Sequence, residues 1–176
     1  MLWDRNALDW GQSDSVAAFV TPKDPTLLAF AQDAGRVDAP GIPTAVRAAA
    51  QQFDAIVAHG VRYARDPLSP YGERAIDSVQ FGRETLARKL GDCDDLAVLY
   101  AGLIEASGRE ARLLLTPGHI LVGVDTELTA AQAASLGADR TLIVEGRVLI
   151  PVEITKLDGG FSAAWEHGKK EIARWI

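Results

Sequence analysis

The spacing of the apolar residues changes at Gly108, and this change limits the fold more than any other feature of the sequence. Before Gly108 the apolar residues recur every three or four positions, which is typical of the buried stripe of an α-helix. They are Leu96, Leu99, Tyr100, Leu103 and Ile104. After it, residues 110–116 and 119–124 show the pattern of two strands, and Pro117 and Gly118 between them indicate a turn. We therefore expect the α+β class, with a helix packed on an antiparallel sheet.

The predicted helix begins at the single cysteine of the chain, Cys93. Stepping back three or four residues from Leu96 places Cys93 on the inward face of the first turn. Unpaired N–H groups and the positive end of the helix dipole favour a thiolate there, and the same N–H groups are suited to bind an oxyanion. Asp94 and Asp95 oppose ionisation of the thiol, so a thiolate needs a cationic partner. The alternative is that Cys93 is a small buried apolar residue.

The rest of the chain predicts further elements around this centre. Residues 1–23 read as an irregular arm that carries aromatic side chains. The other expected elements are a helix at 25–34 ended by Gly35, a helix capped by Thr44 and ending at His59, an extended piece at 61–63, a helix at 83–89, a small helix after Thr129, a hairpin of 141–144 with 147–155, and a closing helix at 161–175. Together the strands predict a sheet of about four.

The length favours one domain, with the arm and the first helices in residues 1–60 and the core in residues 61–176. The chain ends at Ile176 without a polar tail. This ending suggests a domain excised from a longer protein, and it leaves the localisation open.

Charge and cysteine content exclude several functions. Lysine plus arginine number 18 and aspartate plus glutamate 24, which gives a net charge of −6. This balance argues against nucleic acid or an anionic membrane surface as the main partner. No apolar run approaches the roughly 20 residues of a membrane-spanning helix, and the first residues lack the pattern of a signal peptide. One cysteine excludes an internal disulfide and gives no indication of the compartment.

Metal ligands are not evident from spacing. The 3 histidines and the 1 cysteine lie at unrelated positions, without a recurring zinc-ligand pattern. Asp92, Asp94 and Asp95 offer carboxylates in a short run, but such a run more often forms a capped and solvated helix start. We therefore expect no metal and no cofactor, and a metal site at these aspartates is the weaker alternative.

Strand alternation predicts that a histidine and a glutamate share one face. In the strand from His119 the β-branched residues point one way and His119 points the other; in the strand from Arg147, Val152 points one way and Glu153 the other. If both strands bury their β-branched stripes, His119 and Glu153 emerge together. A thiol needs a base, and an imidazole base needs an acceptor that fixes its tautomer. The sequence therefore predicts a triad of Cys93, His119 and Glu153, although each residue also has a structural interpretation of its own.

Two further features are assigned to the site. Gln80 lies among apolar residues upstream of Cys93, and its side-chain amide is a candidate oxyanion donor. The alternative for Gln80 is a structural role, bridging backbone groups. The turn-rich loop at 66–76 precedes the cysteine helix, and we expect it to border the cleft. His59, at the predicted end of a helix, is interpreted as structural.

Three motifs occur in the order found in a known superfamily. They are Gly91-Asp92-Cys93-Asp94-Asp95-Leu96-Ala97, then Pro117-Gly118-His119, then Ile150-Pro151-Val152-Glu153-Ile154-Thr155. Over residues 61–165 the chain resembles the transglutaminase-like superfamily, a branch of the papain-like cysteine acyl-transfer enzymes. Residues 22–67 and 161–165 further resemble an uncharacterised bacterial branch, often embedded in larger envelope or repeat-containing proteins. The resemblance implies a papain/transglutaminase-like fold with Cys93 as nucleophile, His119 as general base and then acid, and Glu153 where most members have aspartate.

The implied activity is a ping-pong acyl transfer from a peptide or amide through a thioester on Cys93. Water as the acceptor gives a protease, an amidase or a glutamine deamidase, and a lysine amine gives a cross-linking transglutaminase. We favour hydrolysis slightly, because water is always available and the sequence shows no second, amine-binding site. The expected partner is a protein or peptide substrate.

The rival interpretation is a non-enzymatic module that binds a peptide within a larger bacterial assembly. Glu153 in place of aspartate and the acidic neighbours of Cys93 favour it. The presence of candidates at all three triad positions argues against it.

Overall fold

The structure, a computed structural model, describes residues 6–34, 40–65, 76–137 and 140–175. These residues form a mixed α+β fold, as the change of apolar spacing predicts. The helices are α1 (Pro25–Asp33), α2 (Thr44–His59), α3 (Gly82–Arg88), α4 (Cys93–Ala106), α5 (Ala130–Ala133) and α6 (Gly160–Ile172), with 3₁₀ segments at Trp10–Phe19, Ala134–Leu136 and Leu157–Gly159. The helices expected near these positions are confirmed. Among the described residues, no helix is long and apolar enough to cross a membrane.

The strands form one larger sheet and two small pairs. They are β1 (Ala7–Asp9), β2 (Arg62–Tyr63), β3 (Ile76–Ser78), β4 (Leu90–Gly91), β5 (Ala111–Thr116), β6 (His119–Asp125), β7 (Leu142–Val144) and β8 (Arg147–Val152). The larger sheet is antiparallel, curled and four-stranded, in the order β5-β6-β8-β7, which confirms the predicted sheet. β1 pairs with β3 in antiparallel fashion, and β2 pairs with β4 in parallel fashion.

The helix α4 lies at the centre of the core because its apolar stripe is fully enclosed. Leu96, Leu99 and Leu103 are 0 % exposed. The buried Tyr100 hydroxyl donates to the Ala49 carbonyl of α2 at 2.9 Å, so its polar atom is satisfied inside the core. On the other side, α4 packs against the face of the sheet that carries Val122. This packing makes α4, which begins at Cys93, a neighbour of β6, which begins at His119.

The N-terminal arm is more regular than its sequence predicts. Trp10–Phe19 forms a 3₁₀ segment, and β1 before it pairs with β3. The Trp10 indole N–H donates to Asp77 Oδ2 at 3.0 Å, which ties the arm to the segment before α3. These contacts join residues that are far apart in sequence, and local spacing therefore carries no signal for them.

Thr44 is the first residue of α2 and not its cap; Pro43 occupies the cap position and makes no capping side-chain bond. Gly35, the expected end of α1, lies outside the described residues, as does the 66–75 part of the loop expected to border the cleft.

Candidate active site

His119 and Glu153 meet at one end of the sheet. His119 is the first residue of β6, and Glu153 directly follows β8. The His119 Nε2 and Glu153 Oε2 atoms are 2.5 Å apart, and the two side chains are 25 % and 7 % exposed. The structure thus contains the pairing expected from strand alternation. Because Nε2 is taken by the carboxylate, Nδ1 is the nitrogen left to face another group.

The Glu153 carboxylate is held by its own chain segment as well as by His119. Its Oε1 accepts hydrogen bonds from the Thr155 N–H at 3.1 Å and from the Thr155 hydroxyl at 2.6 Å. Both carboxylate oxygens are therefore engaged, and the orientation of the group is fixed. These hydrogen bonds join residues only two positions apart, so the local sequence Glu153-Ile154-Thr155 could have indicated them.

The backbone of Glu153 is positioned by α6. The Glu153 N–H donates to the Ala164 carbonyl at 3.0 Å. Gly168, one turn further, approaches β8 so closely that an added Cβ would lie 2.7 Å from the Pro151 carbonyl carbon. Only a glycine permits this contact, because any larger residue would push α6 away from the strand end. Ala164 and Gly168 are supports that the sequence reasoning missed, since only packing reveals them.

The pKa values of the pair move in opposite directions. The hydrogen bond to Glu153 raises the pKa of His119 above its ordinary value, although burial opposes this. Burial alone would raise the pKa of Glu153, but the hydrogen bonds from His119 and Thr155 lower it overall. Each partner therefore stabilises the charged form of the other, and the raised pKa makes the neutral His119 ring a stronger base than an isolated imidazole.

Cys93 occupies the first position of α4, as the sequence predicts. Asp92 is the N-cap, and its carboxylate accepts from the Asp95 N–H at 3.4 Å. Cys93 is partly buried and packs against the apolar core. Between the described Cys93 and His119 the structure has no hydrogen bond. The two halves of the predicted triad thus lie on neighbouring elements without direct bonding.

The surroundings of Cys93 oppose a resting thiolate. Burial, followed by the charges of Asp94 and Asp92, raises the pKa of Cys93 to about 12. The backbone N–H groups of Asp94 and Cys93 act in the other direction but do not compensate. Burial and the adjacent Asp92 carboxylate raise the pKa of Asp94 to about 10. The thiolate expected from the helix dipole is therefore not the resting form; at neutral pH Cys93 carries a proton.

The hydrogen bonds of Gln80 are not those of a free oxyanion donor. Its side-chain amide donates to Asp95 Oδ2 and, at 3.3 Å, to the Leu90 carbonyl. Its backbone N–H donates to Asp95 Oδ1 at 2.6 Å. Both hydrogens of the amide are thus used inside the protein, and none is left for an oxyanion. These bonds favour the structural alternative for Gln80 over the oxyanion role.

Asp95 is the residue that links α4 to the preceding chain. Besides the bonds from Gln80, its Oδ2 accepts from the Asp92 N–H at 3.4 Å. Gly91 leaves room for it, because an added Cβ there would lie 2.7 Å from the Asp95 Cβ. Asp95 therefore fixes the start of α4, where Cys93 lies.

A potential metal-binding group overlaps the cysteine. Ligand atoms of Asp92, Cys93 and Asp94 lie within 4.8 Å of one another. Asp95, the third aspartate of the sequence hypothesis, is used instead by Gln80 and the cap. Two acidic groups beside a thiol are suited to a divalent cation in principle, but their closeness also follows from a helix start alone.

Comparisons of the chain with protein-family models, with curated proteins and with solved structures find no match.

Proposed function

We propose that the chain is a cysteine-dependent acyl-transfer enzyme that acts on a peptide or amide bond through Cys93, His119 and Glu153. In this proposal the fold is of the papain/transglutaminase-like kind and the family is the transglutaminase-like superfamily. The observation that carries the proposal is the bond of 2.5 Å between His119 and a nearly buried Glu153. A structural histidine at a strand start has no need of a carboxylate that is itself held by two further hydrogen bonds.

The position of Cys93 adds support. It lies at the N-terminus of a helix that packs on β6, the strand that His119 begins. The backbone N–H groups of Cys93 and Asp94 favour the ionised form of the thiol. The same groups are suited to hold the oxyanion of a tetrahedral intermediate.

The proposed reaction starts from a protonated thiol. As the Cys93 sulfur attacks the carbonyl carbon, the thiol proton moves to His119, and Glu153 stabilises the imidazolium that forms. The carbon–nitrogen bond then breaks, and the amine leaves with the proton from His119. Water, deprotonated by His119, attacks the thioester, which releases the acid and restores the thiol. Asp92 and Asp94 oppose a free thiolate, so Cys93 and His119 do not form a thiolate–imidazolium pair at rest. The proton moves from Cys93 to His119 during the attack instead.

Hydrolysis is the favoured outcome of the thioester. If the nitrogen of an amine replaces water at the thioester carbon, the product is a new amide, the cross-link of a transglutaminase, and the thiol is again restored. The substrate of the proposal is a protein or peptide.

The rate of Cys93 alkylation by iodoacetamide between pH 4 and 10 tests the proposal. We expect the wild-type rate to follow a lower pKa than that of His119→Ala, because the imidazole accepts the thiol proton. The control is His167→Ala, which removes an exposed histidine of α6. Identical profiles for the wild type and His119→Ala would show that the histidine does not serve the thiol, and the enzyme proposal would be abandoned.

A peptide-binding module without catalysis is the second candidate. The observation that favours it is the pKa of Cys93, raised to about 12 by burial and by Asp94 and Asp92. The discriminating measurement is mass spectrometry of the protein after incubation with peptide amides. An acyl adduct on Cys93 supports the enzyme, and peptide binding without any adduct supports the module.

A further inference from the structure

The strand β5 (Ala111–Thr116) is an outer strand of the curled sheet. Next to it, the Asp125 N–H donates to the Glu110 carbonyl at 3.0 Å. In an antiparallel pair the hydrogen-bonded positions alternate, so this bond fixes the phase of the whole strand. The N–H and C=O groups of Ala111, Leu113 and Leu115 therefore point away from β6, toward the open edge.

This edge lacks two usual forms of protection, a bulge and a proline. Its pairing with β6 is unbroken from Ala111 opposite Val124 to Thr116 opposite His119, so no bulge turns it away. The sequence of β5 contains no proline. In the part of the chain that the structure describes, no backbone or side-chain group bonds to the outward atoms of Ala111, Leu113 or Leu115. Proteins ordinarily block such an edge or use it to bind another strand.

A slot runs along the same edge. It has a volume of about 510 Å³ and is lined by β5, by Ala101 and Glu105 of α4, by Val16 of the 3₁₀ segment and by Val144 of β7. Leu115 is 43 % exposed in it. The walls are largely apolar, and one side is formed by backbone with unused hydrogen-bonding groups. These are the two features that an added strand requires: main-chain partners and contacts for alternate side chains.

The charges at the slot select the occupant. Glu105 and Asp14 both line it, and neither forms an ion pair with a described residue. The one cation in the lining, Arg112, is engaged by Glu145 at 3.2 Å. The uncompensated charge of the slot is thus negative, as is the net charge of −6 of the chain. A segment with lysine or arginine among apolar residues complements it.

We propose that an extended segment of a partner protein, with apolar residues alternating with lysine or arginine, binds here as a fifth strand on β5. The segment pairs with the outward groups of Ala111, Leu113 and Leu115, and its cation lies near Glu105. Binding uses none of Cys93, His119 and Glu153, so it goes beyond the proposed reaction and does not depend on it.

Isothermal titration of Cys93→Ser protein with a synthetic peptide tests the proposal. The probe is an acetylated heptapeptide in which valine alternates with lysine; the matched peptide has glutamate in place of lysine. We expect the lysine peptide to bind at least tenfold more tightly than the glutamate peptide, and Glu105→Gln to reduce this ratio. Equal binding of the two peptides would overturn the proposed occupant.

A backbone variant tests the mode of binding. Leu115→Pro removes an outward N–H but no bond to β6, and proline is tolerated in an edge strand on that side. We expect it to weaken the lysine peptide at least tenfold, whereas Leu115→Val, which keeps the N–H, leaves the affinity within about twofold of the wild type. If Leu115→Pro does not fold, a peptide N-methylated at alternate residues supplies the same test. Unchanged binding in either case overturns the proposal.

A second copy of the chain is the competing occupant. Analytical ultracentrifugation of the wild type without peptide distinguishes it. A dimer that Leu115→Pro dissociates would assign the edge to self-association and overturn the proposed partner; a monomer that binds the lysine peptide supports it.

Discussion

The two halves of the candidate site differ in how their charges are arranged. At the end of the sheet, His119 and Glu153 carry complementary charges, and each favours the ionised form of the other. At the start of α4, Asp92 and Asp94 crowd a partly buried thiol and raise its pKa to about 12. The surroundings of His119 thus favour its charged form, whereas the surroundings of Cys93 oppose a thiolate. In the proposed reaction, His119 therefore takes the thiol proton during attack, and not before it.

We expect the largest effect from removing His119, the base of the His119–Glu153 pair. His119→Ala should reduce turnover of a peptide mixture, followed by mass spectrometry, by about 10² to 10⁴-fold, because general base and acid catalysis are both lost. His167→Ala is the control and should retain full turnover. Turnover unchanged in His119→Ala would mean that the charge complementarity at the sheet end is structural only.

Gly168→Ala tests how the close approach of α6 supports the strand end that holds Glu153. The added methyl would collide with the Pro151 carbonyl, so α6 must move away from the strand end that holds Glu153. We expect a loss on the order of 3 kcal/mol in the free energy of unfolding, measured by urea denaturation. Lys170→Ala, on the exposed side of the same helix, should change it by less than about 0.5 kcal/mol. A neutral Gly168→Ala would show that the close approach is not needed.

Asp94→Asn tests the acidic surroundings of Cys93 at the start of α4. The folded pKa of Asp94 is about 10 against an ordinary 3.8, so the folded protein holds a proton that the unfolded chain releases, and stability falls as pH rises between these values. The variant removes this fall and should be more stable at pH 8 by about 2 kcal/mol, measured by urea denaturation. It should also speed Cys93 alkylation, since the thiol pKa moves down from about 12.

Asp158→Asn, at an exposed position, is the control for this charge removal. It should leave both the pH dependence and the alkylation rate unchanged. If Asp94→Asn behaves in the same way, the acidic neighbours do not restrain the thiol, and the contrast between the two halves disappears.

We expect the smallest effect from the titration of His119 and Glu153. The raised pKa of His119 stabilises the fold fully below its ordinary 6.5 and ceases to do so as pH rises through the folded value. The lowered pKa of Glu153 stabilises it above its ordinary 4.5 and ceases to do so as pH falls through the folded value. Glu153→Gln should therefore lower the free energy of unfolding by about 1.5 kcal/mol between pH 4.5 and pH 6.5, and by less at higher pH. Chemical denaturation at a series of pH values measures it, and a cost independent of pH would contradict the ion pair.

Local sequence patterns carried much of the fold and part of the site. The helical stripe from Leu96 predicted α4, and the alternation in β6 and β8 predicted that His119 and Glu153 share a face. Both predictions succeed because side-chain direction follows from the period of the element itself. The N-terminal 3₁₀ segment and its strand pair were missed, because they depend on a contact between Trp10 and Asp77.

The sequence by itself thus determined the main helices, the strands of the larger sheet, the start of α4 at Cys93 and the phase that unites His119 with Glu153. Only the tertiary structure decided that Gln80 is used by Asp95, that Gly168 supports Glu153, and that Cys93 is held as a thiol. The physical reason is that electrostatic environment and hydrogen-bond satisfaction depend on which groups surround an atom in three dimensions and on how far water is excluded. Periodicity fixes the direction of a side chain, but not its neighbours.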